Sequence, residues 1–476
     1  MEEMLRPGWR VGHRLARGLA VAGRNALSVL PMNTTIRFAL ATLTLTAALA
    51  GSAAAANLTA LHQRIDALAA EVEPHVIANR RYLHQHPELS NREAETARYI
   101  AERLRELGIE VHTGIARTGV VGVLRGGQPG PVIALRSELD ALPVTEEGDL
   151  PFRSTVRASY NGNEVGVMHA CGHDAHMGIL LGVAEVFSRM KAELPGTVKF
   201  IFQPAEEGAP AGEEGGAQLM VKEGVLNTEP RPSAIFGLHV LTQFEAGQVA
   251  WRSGGIMAAG DDLKIVVHGR QTHGALPWNG VDPVVIASQI VLGLQTIVSR
   301  QEDLTRAPLI ITVGKISGGV RSNIIPDSVT LLGTIRTLDS AMRSDVLARV
   351  RRTAEQIAAS AGATAEVTLG AEVAYPVTYN DPALTARMLP TLRRVAGADK
   401  LIETAPQTVS EDFSFYQQQI PGLFVFLGVR KPGASMEEYA ANHSPRFKVD
   451  ESGLQLGVRT LANLAVDYLA QPPAAR

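Results

Sequence analysis

The chain holds one cysteine among 476 residues, so no disulfide can form within it and packing rather than cross-linking must hold it together. An excess of charge of either sign is also missing. Its 45 Lys and Arg stand against 48 Asp and Glu, which leaves no electrostatic footprint for nucleic acid or for an anionic membrane. No Gly-x-Ser-x-Gly elbow occurs, which disfavours a serine hydrolase built on that turn. Internal repeats are absent, and nothing beyond the first 56 residues is of low complexity. What is there is ordinary in bulk: 45% hydrophobic and 20% charged residues describe a soluble globular protein, and the length suggests two or three domains.

The start of the chain reads as an export signal. Met32-Asn33-Thr34-Thr35-Ile36-Arg37 gives a short positive start, 38–51 an apolar run, and Ala54-Ala55-Ala56 a small-residue cleavage site. The run is too short for a stop-transfer helix. Residues 1–31, rich in Arg, read as a misplaced start with Met32 the initiator. The expectation is a periplasmic or secreted protein cleaved after Ala56, with no stable membrane insertion once the signal is gone; an uncleaved anchor is the other reading. In an oxidising compartment a lone cysteine must be reactive, intermolecular, buried or metal-bound.

That cysteine lies in Met168-His169-Ala170-Cys171-Gly172-His173-Asp174-Ala175-His176, which also carries three histidines and an aspartate. Thiolate, imidazole and carboxylate are transition-metal ligands, and Gly172 lets a tight loop turn Cys171 and His173 toward one point. Taken alone, the cluster leaves two readings open: a metal site, or a small buried thiol beside core histidines.

Periodicity supplies the architecture. Helical spacing runs over 58–83, stopped by Pro87, and over 96–107, stopped by Gly108. The short apolar runs 119–124 and 132–135, separated by a turn at 126–130, read as a strand pair. Candidate chemical residues follow directly on apolar runs: Glu138 and Asp140 after 132–135, Glu206 and Glu207 after 198–202, His239 after 235–238. The run 423–427 precedes His443, and between these runs 177–190 reads as a helix whose Met and Leu stripe is core. Strands alternating with helices imply an α/β fold with a mixed, largely parallel sheet and flanking helices, and such sheets gather ligands beyond the carboxyl ends of their strands. A break at 251–259 opens a second pattern, strand, helix, strand, strand, helix, strand, which matches a ferredoxin-like βαββαβ unit inserted into the larger domain. The expected boundaries are 57–257 and 372–476 for the catalytic domain and 258–371 for an inserted lid and dimerisation domain.

Several stretches together resemble a family. They are His86-Pro87-Glu88-Leu89, residues 134–143, 168–176 and 202–208, Gly237-Leu238-His239, residues 323–327 and Ser410-Glu411-Asp412-Phe413. In this order they resemble the metal-dependent amidohydrolases of the M20 peptidase family, in the branch of hippurate hydrolases, N-acyl-amino-acid amidohydrolases and auxin-conjugate hydrolases. The resemblance covers nearly all of the chain after the export region. It implies that Cys171, His173, Glu207, His239 and His443 bind two divalent metal ions, zinc or else manganese, cobalt or nickel, with Cys171 bridging. It implies Glu206 as general base, Asp140 as the aspartate that orients a ligand or the base, His273 as an oxyanion donor, and Asn323 and Arg336 as the clamp for a substrate carboxylate. Since the insert's residues can act across a dimer, a homodimer or higher homo-oligomer is also implied.

Two departures stand out. Ser137-Glu138 replaces the branch's usual Ala-Asp, and Trp278 stands where a histidine commonly follows His273. The expected activity is hydrolysis of small-molecule N-acyl or N-aroyl amino acids to a carboxylic acid and a free amino acid through a metal-bound hydroxide. The rivals are a dipeptidase or carboxypeptidase of the same family, and a non-catalytic periplasmic metal-dependent binding protein, against which the presence of Glu206 argues.

Overall fold

The computed structural model describes residues 34–470. They divide into two units, one ending at Ala56 and one beginning at Asn57. The described part of the first is helical, within the helix Thr34–Gln85, and the expected start at 1–31 lies outside the described residues.

The opening helix of the second unit buries Leu61, Ile65, Leu68, Val72, Val76 and Leu83, one apolar stripe at helical spacing. It stops at Gln85, two residues before Pro87, since the residue ahead of a proline is pushed out of the helical region. The helix Ala94–Glu106 follows and ends just before Gly108, which takes φ 71°.

Eight strands form the main sheet, in the order Glu110–Ile115, Gly119–Arg125, Pro195–Gln203, Gln128–Glu138, Ile235–Glu245, Gly422–Arg430, Val249–Trp251 and Leu401–Glu403. The central four run parallel, and antiparallel pairs flank them. Alternation along each strand feeds both faces. Val198, Phe200 and Phe202 join one core, with Leu423, Val425 and Leu427. Ile201, Phe424 and Phe426 join the other. Burial on both sides explains why these strands read as continuous apolar runs.

One expectation from the sequence changes. The runs 119–124 and 132–135 do not pair with each other, because Pro195–Gln203 lies between their strands. The amide of Gly126 bonds to the Gly196 carbonyl (2.8 Å) and that of Gly127 to the Lys191 carbonyl (2.7 Å). The link therefore straddles the start of a third strand instead of closing a hairpin.

A separate four-stranded antiparallel sheet has the order Leu309–Gly318, Ser328–Thr337, Ala259–His268, Thr364–Tyr375, which is the order of a ferredoxin-like unit. The helices Pro283–Thr296 and Ser340–Ser360 cover one of its faces. Ile286, Ile290 and Leu294 from the first and Val346, Val350 and Ala354 from the second form its own core with Leu263, Ile265 and Leu331. The outer side of the first helix leaves Val284, Val285 and Leu292 exposed. Short strands Gly254–Met257 and Thr378–Asn380 pair antiparallel where the chain enters and leaves this sheet.

The parallel arrangement gathers the chemistry at one edge. Arg136 pairs with Gly237, so the end of the strand carrying Glu138 comes level with His239. The strand beside it ends at Gln203, three residues before Glu206.

Candidate metal centre

Cys171 and His173 flank Gly172, which caps the helix His173–Arg189 at φ 99°. A side chain there would meet strain from the left-handed backbone and a clash, for a Cβ would stand 2.3 Å from Val240 Cγ2. The tight turn thus sets the helix start against the strand that carries His239. The Cys171 sulfur lies 3.2 Å from His239 Nε2 and 3.3 Å from His443 Nε2, and His443 Nε2 lies 3.3 Å from Glu207 Oε1. Two groups of three ligand atoms result, Cys171 with His173 and His239, and Cys171 with Glu207 and His443. The thiol is their common member.

Hydrogen bonds orient the imidazoles. His173 Nδ1 donates to the Asp140 carbonyl (2.7 Å), and His239 Nδ1 to the carbonyl of Val240 (2.9 Å). Both therefore present an unprotonated Nε2 when neutral, the form a metal requires. His173 Nε2 is buried without a hydrogen-bond partner, and buried polar atoms are rarely left so. His176 has no such freedom. Its Nε2 accepts from the Val240 amide (2.8 Å) and its Nδ1 donates to Glu138 (2.7 Å), so it braces the neighbour of His239. Asp174 is likewise engaged, by Arg80 (2.7 Å) and His84 (2.9 Å).

Around this cluster negative charge is in excess. Glu138, Asp140, Glu206, Glu411 and Asp412 are all buried, and the buried Arg136 is the guanidinium among them. It pairs with Glu138, with Glu411 at 3.0 Å and with Asp412 at 2.6 Å. Burial and the charges of Glu411 and Glu207 raise the Glu206 carboxyl well above its ordinary range. Burial opposes charge on His173, but the hydrogen bond to Asp140 and the charges of Glu138, Asp140 and Glu207 outweigh it and push the imidazole up to about 10. Burial and the charges of Glu207 and Glu206 hold the Cys171 thiol well above its usual value. Without a metal the site thus keeps protons where a cation belongs, on a donor set of sulfur, imidazole and carboxylate that fits transition metals.

The structure brings Cys171, His173, Glu207, His239, His443, Glu206 and Asp140 into one place. Glu206 Oε2 lies 3.8 Å from His173 Nε2. Asp140 sits behind the ligands, with Oδ2 accepting from Ser90 (2.8 Å) and from the Glu207 amide (3.0 Å). Arg336 donates through Nη1 to Ser410 Oγ, two residues from Asp412. His273 and Asn323 lie elsewhere: the strand pair Thr272–His273 and Ile324–Ile325 holds them together on an exposed edge of the insert, joined by the Gly274 amide to the Asn323 carbonyl (2.8 Å). Trp278 projects nearby, 74% exposed. Sequence reasoning gave no role to Arg136, Glu411, Asp412 or Tyr375. The motif at 410–413 was the signal for two of these, and the Tyr375 contact had none.

The model of peptidase family M20/M25/M40 matches residues 134–467. The thermostable carboxypeptidase 2 of Saccharolobus solfataricus is 41% identical over 401 residues, covering 84% of this chain and 96% of that protein. The N-acetyl-L-cysteine deacetylase of Bacillus subtilis is 39% identical over 385 residues, covering 80% and 85%. Among solved structures, a dinuclear metal-binding peptidase of the M20 family from Bacillus subtilis superposes with a TM-score of 0.69 at 35% identity, covering 83% of this chain and 98% of that one.

Metal binding at pH 7 should release protons, from the Cys171 thiol and from His173. Titration calorimetry of the metal-free protein with zinc, in buffers of different ionisation enthalpy, reads this as a slope. Affinity should rise with pH, because both groups are protonated when free and deprotonated as ligands. A slope of zero would sink the assignment.

Proposed function

The chain belongs to peptidase family M20/M25/M40, and on that premise we propose that it is a metal-dependent amidohydrolase that cleaves N-acyl or N-aroyl amino acids to a carboxylic acid and a free amino acid. The observation that carries the reading is the pair of ligand triads sharing Cys171, with the carboxylate of Glu206 beside them and outside both. Cys171, His173, Glu207, His239 and His443 would hold two divalent ions. Thiolate and imidazole suit zinc, and a site with a carboxylate also accepts manganese, cobalt or nickel, so availability decides. When bound, the ions acidify a water and polarise the amide carbonyl.

The chain's own residues do the rest. Glu206, with its proton affinity raised by its surroundings, takes a proton from the attacking water and returns it to the leaving amine nitrogen, so the C–N bond breaks without expelling an amide anion. Asp140 fixes the ring of His173 and the amide of Glu207. Arg336 meets the free carboxylate of the amino-acid half with its planar fork. His273 and Asn323 stand apart from the metal ligands on the exposed edge of the insert, which supports their delivery by a second copy. Val284, Val285 and Leu292 on the insert helix and Ile310 on the edge strand are exposed apolar residues suited to that contact. A carboxypeptidase activity is the second reading, favoured by the 41% identity to a protein of that name. Both share the Arg336 clamp and differ in whether the amide bears an acyl group or a peptide. Export to the periplasm or medium is supported by the pattern at 32–56.

Glu206→Gln should retain its metal while kcat falls by about 10²–10⁴-fold, with metal analysis and single-substrate kinetics as the check; unchanged turnover removes Glu206 from this role. On a panel of N-acetyl and N-benzoyl amino acids against dipeptides and longer peptides, kcat/KM should favour the acyl amino acids, and the reverse order selects the carboxypeptidase. Leu292→Glu should shift a dimer toward monomer in analytical ultracentrifugation, with wild-type protein that sediments as a monomer refuting the assembly. Protein recovered from outside the cytoplasm should begin at Asn57 by N-terminal sequencing, and material that keeps residues 32–56 would overturn the cleavage site.

A further inference from the structure

The segment that carries Glu206 is held by its backbone, from three sides. Ala205 takes φ 53°, a left-handed conformation that a non-glycine residue keeps only when its surroundings enforce it. Its amide donates to Glu93 Oε1 (2.9 Å). The amide of Glu207 donates to Asp140 Oδ2 (3.0 Å). The third tie differs in origin: the carbonyl of Glu206 accepts from the Tyr375 hydroxyl (2.9 Å).

Glu93 precedes the helix Ala94–Glu106 and Asp140 follows the strand Gln128–Glu138, so both belong to the body built on the main sheet. Tyr375 is the last residue of Thr364–Tyr375, an outer strand of the four-stranded sheet. Its ring meets Phe415 edge-on at 6.0 Å. Across that sheet Tyr375 pairs with Gly260 and Gly260 with Arg336, which puts the three in one row. One end of the row reaches the segment of Glu206, through Tyr375, and the other reaches Ser410 on a separate loop, through Arg336. Between them a Cβ on Gly260 would fall 2.4 Å from Arg336 Nη1 and 2.5 Å from Ser410 Oγ, so the row closes around a residue with no side chain.

We propose that Tyr375 is a positioning residue for Glu206. Its hydroxyl fixes the peptide plane between Glu206 and Glu207, keeping one carboxylate on the ligand cluster and the other beside it, and it ties that aim to the placement of the insert. The inference rests on the reading of Glu206 as base, and it adds that the base is held in part by the inserted sheet.

The test uses full-length, metal-loaded protein. Tyr375→Phe removes the hydroxyl and keeps the ring against Phe415, so metal content, melting temperature and KM should stay at wild-type values while kcat falls about tenfold, the scale expected when a catalytic group is misaimed by less than 1 Å. In a Glu206→Gln background the same change should have no further effect, because a residue acting only through the base has nothing left to act on. Full kcat in Tyr375→Phe overturns the proposal, and so does an undiminished further loss in the double variant, which marks general structural support. Crystal structures of the wild type and Tyr375→Phe give an arm independent of activity: the Glu206 carboxylate should shift, and an unmoved one overturns the proposal. A wild type inactive on every acyl amino acid and peptide would instead refute the functional reading and leave this inference to the crystallographic arm.

Discussion

Negative charge must be neutralised inside this protein, and most of the arrangement around Cys171 follows from that constraint. Glu138, Asp140, Glu206, Glu411 and Asp412 are buried together, and a buried carboxylate that keeps its charge costs several kcal/mol unless opposite charge accompanies it. Arg136 answers for one side, through Glu138, Glu411 and Asp412. On the other side Glu207 and Glu206 face a thiol and imidazoles, and the proton that His173 retains up to about 10 marks where positive charge is still wanted. A metal centre completes a charge balance that the polypeptide leaves unfinished.

The parallel sheet is what makes such a concentration possible. Three of its four central strands bring one or two polar residues to one edge, Glu138 and Asp140 on one, Glu206 and Glu207 after the next, His239 on a third. Lateral neighbours are about 5 Å apart, so residues far apart in the chain arrive within ligand distance of one another. The price is backbone that must turn sharply around the site, seen in Gly172 at φ 99°, Ala205 at φ 53° and His443 at φ 70°. Two of these are tied down, His443 through its amide to the Ala170 carbonyl (2.8 Å) and Ala205 through Glu93.

This division explains what could be read from the sequence and what could not. Local signals carried the elements, as in the helix stop at Pro87 and the helix after His173, and the strand and helix order of the insert appeared as written. Lateral order did not. The runs at 119–124 and 132–135 carry a glycine-rich link that looks like a hairpin turn, yet a strand some sixty residues later takes the place between them. The site followed the same rule. Cys171 and His173 announce themselves by proximity, whereas Arg136 and Asp412 are 276 residues apart and nothing local in either marks them as partners. Nothing in the sequence marks Tyr375, because its bond is to a backbone carbonyl, which carries no residue identity.

The lone cysteine takes on a different meaning once its surroundings are known. A free thiol is open to oxidation chiefly as an accessible thiolate. Cys171 is 7% exposed, and burial with neighbouring carboxylates keeps it protonated while no cation is present. When a metal binds, its sulfur electrons are engaged with the ion. The anionic sulfur exists only where the ions cover it, so the carboxylates that make the site need a cation also guard the ligand that binds it.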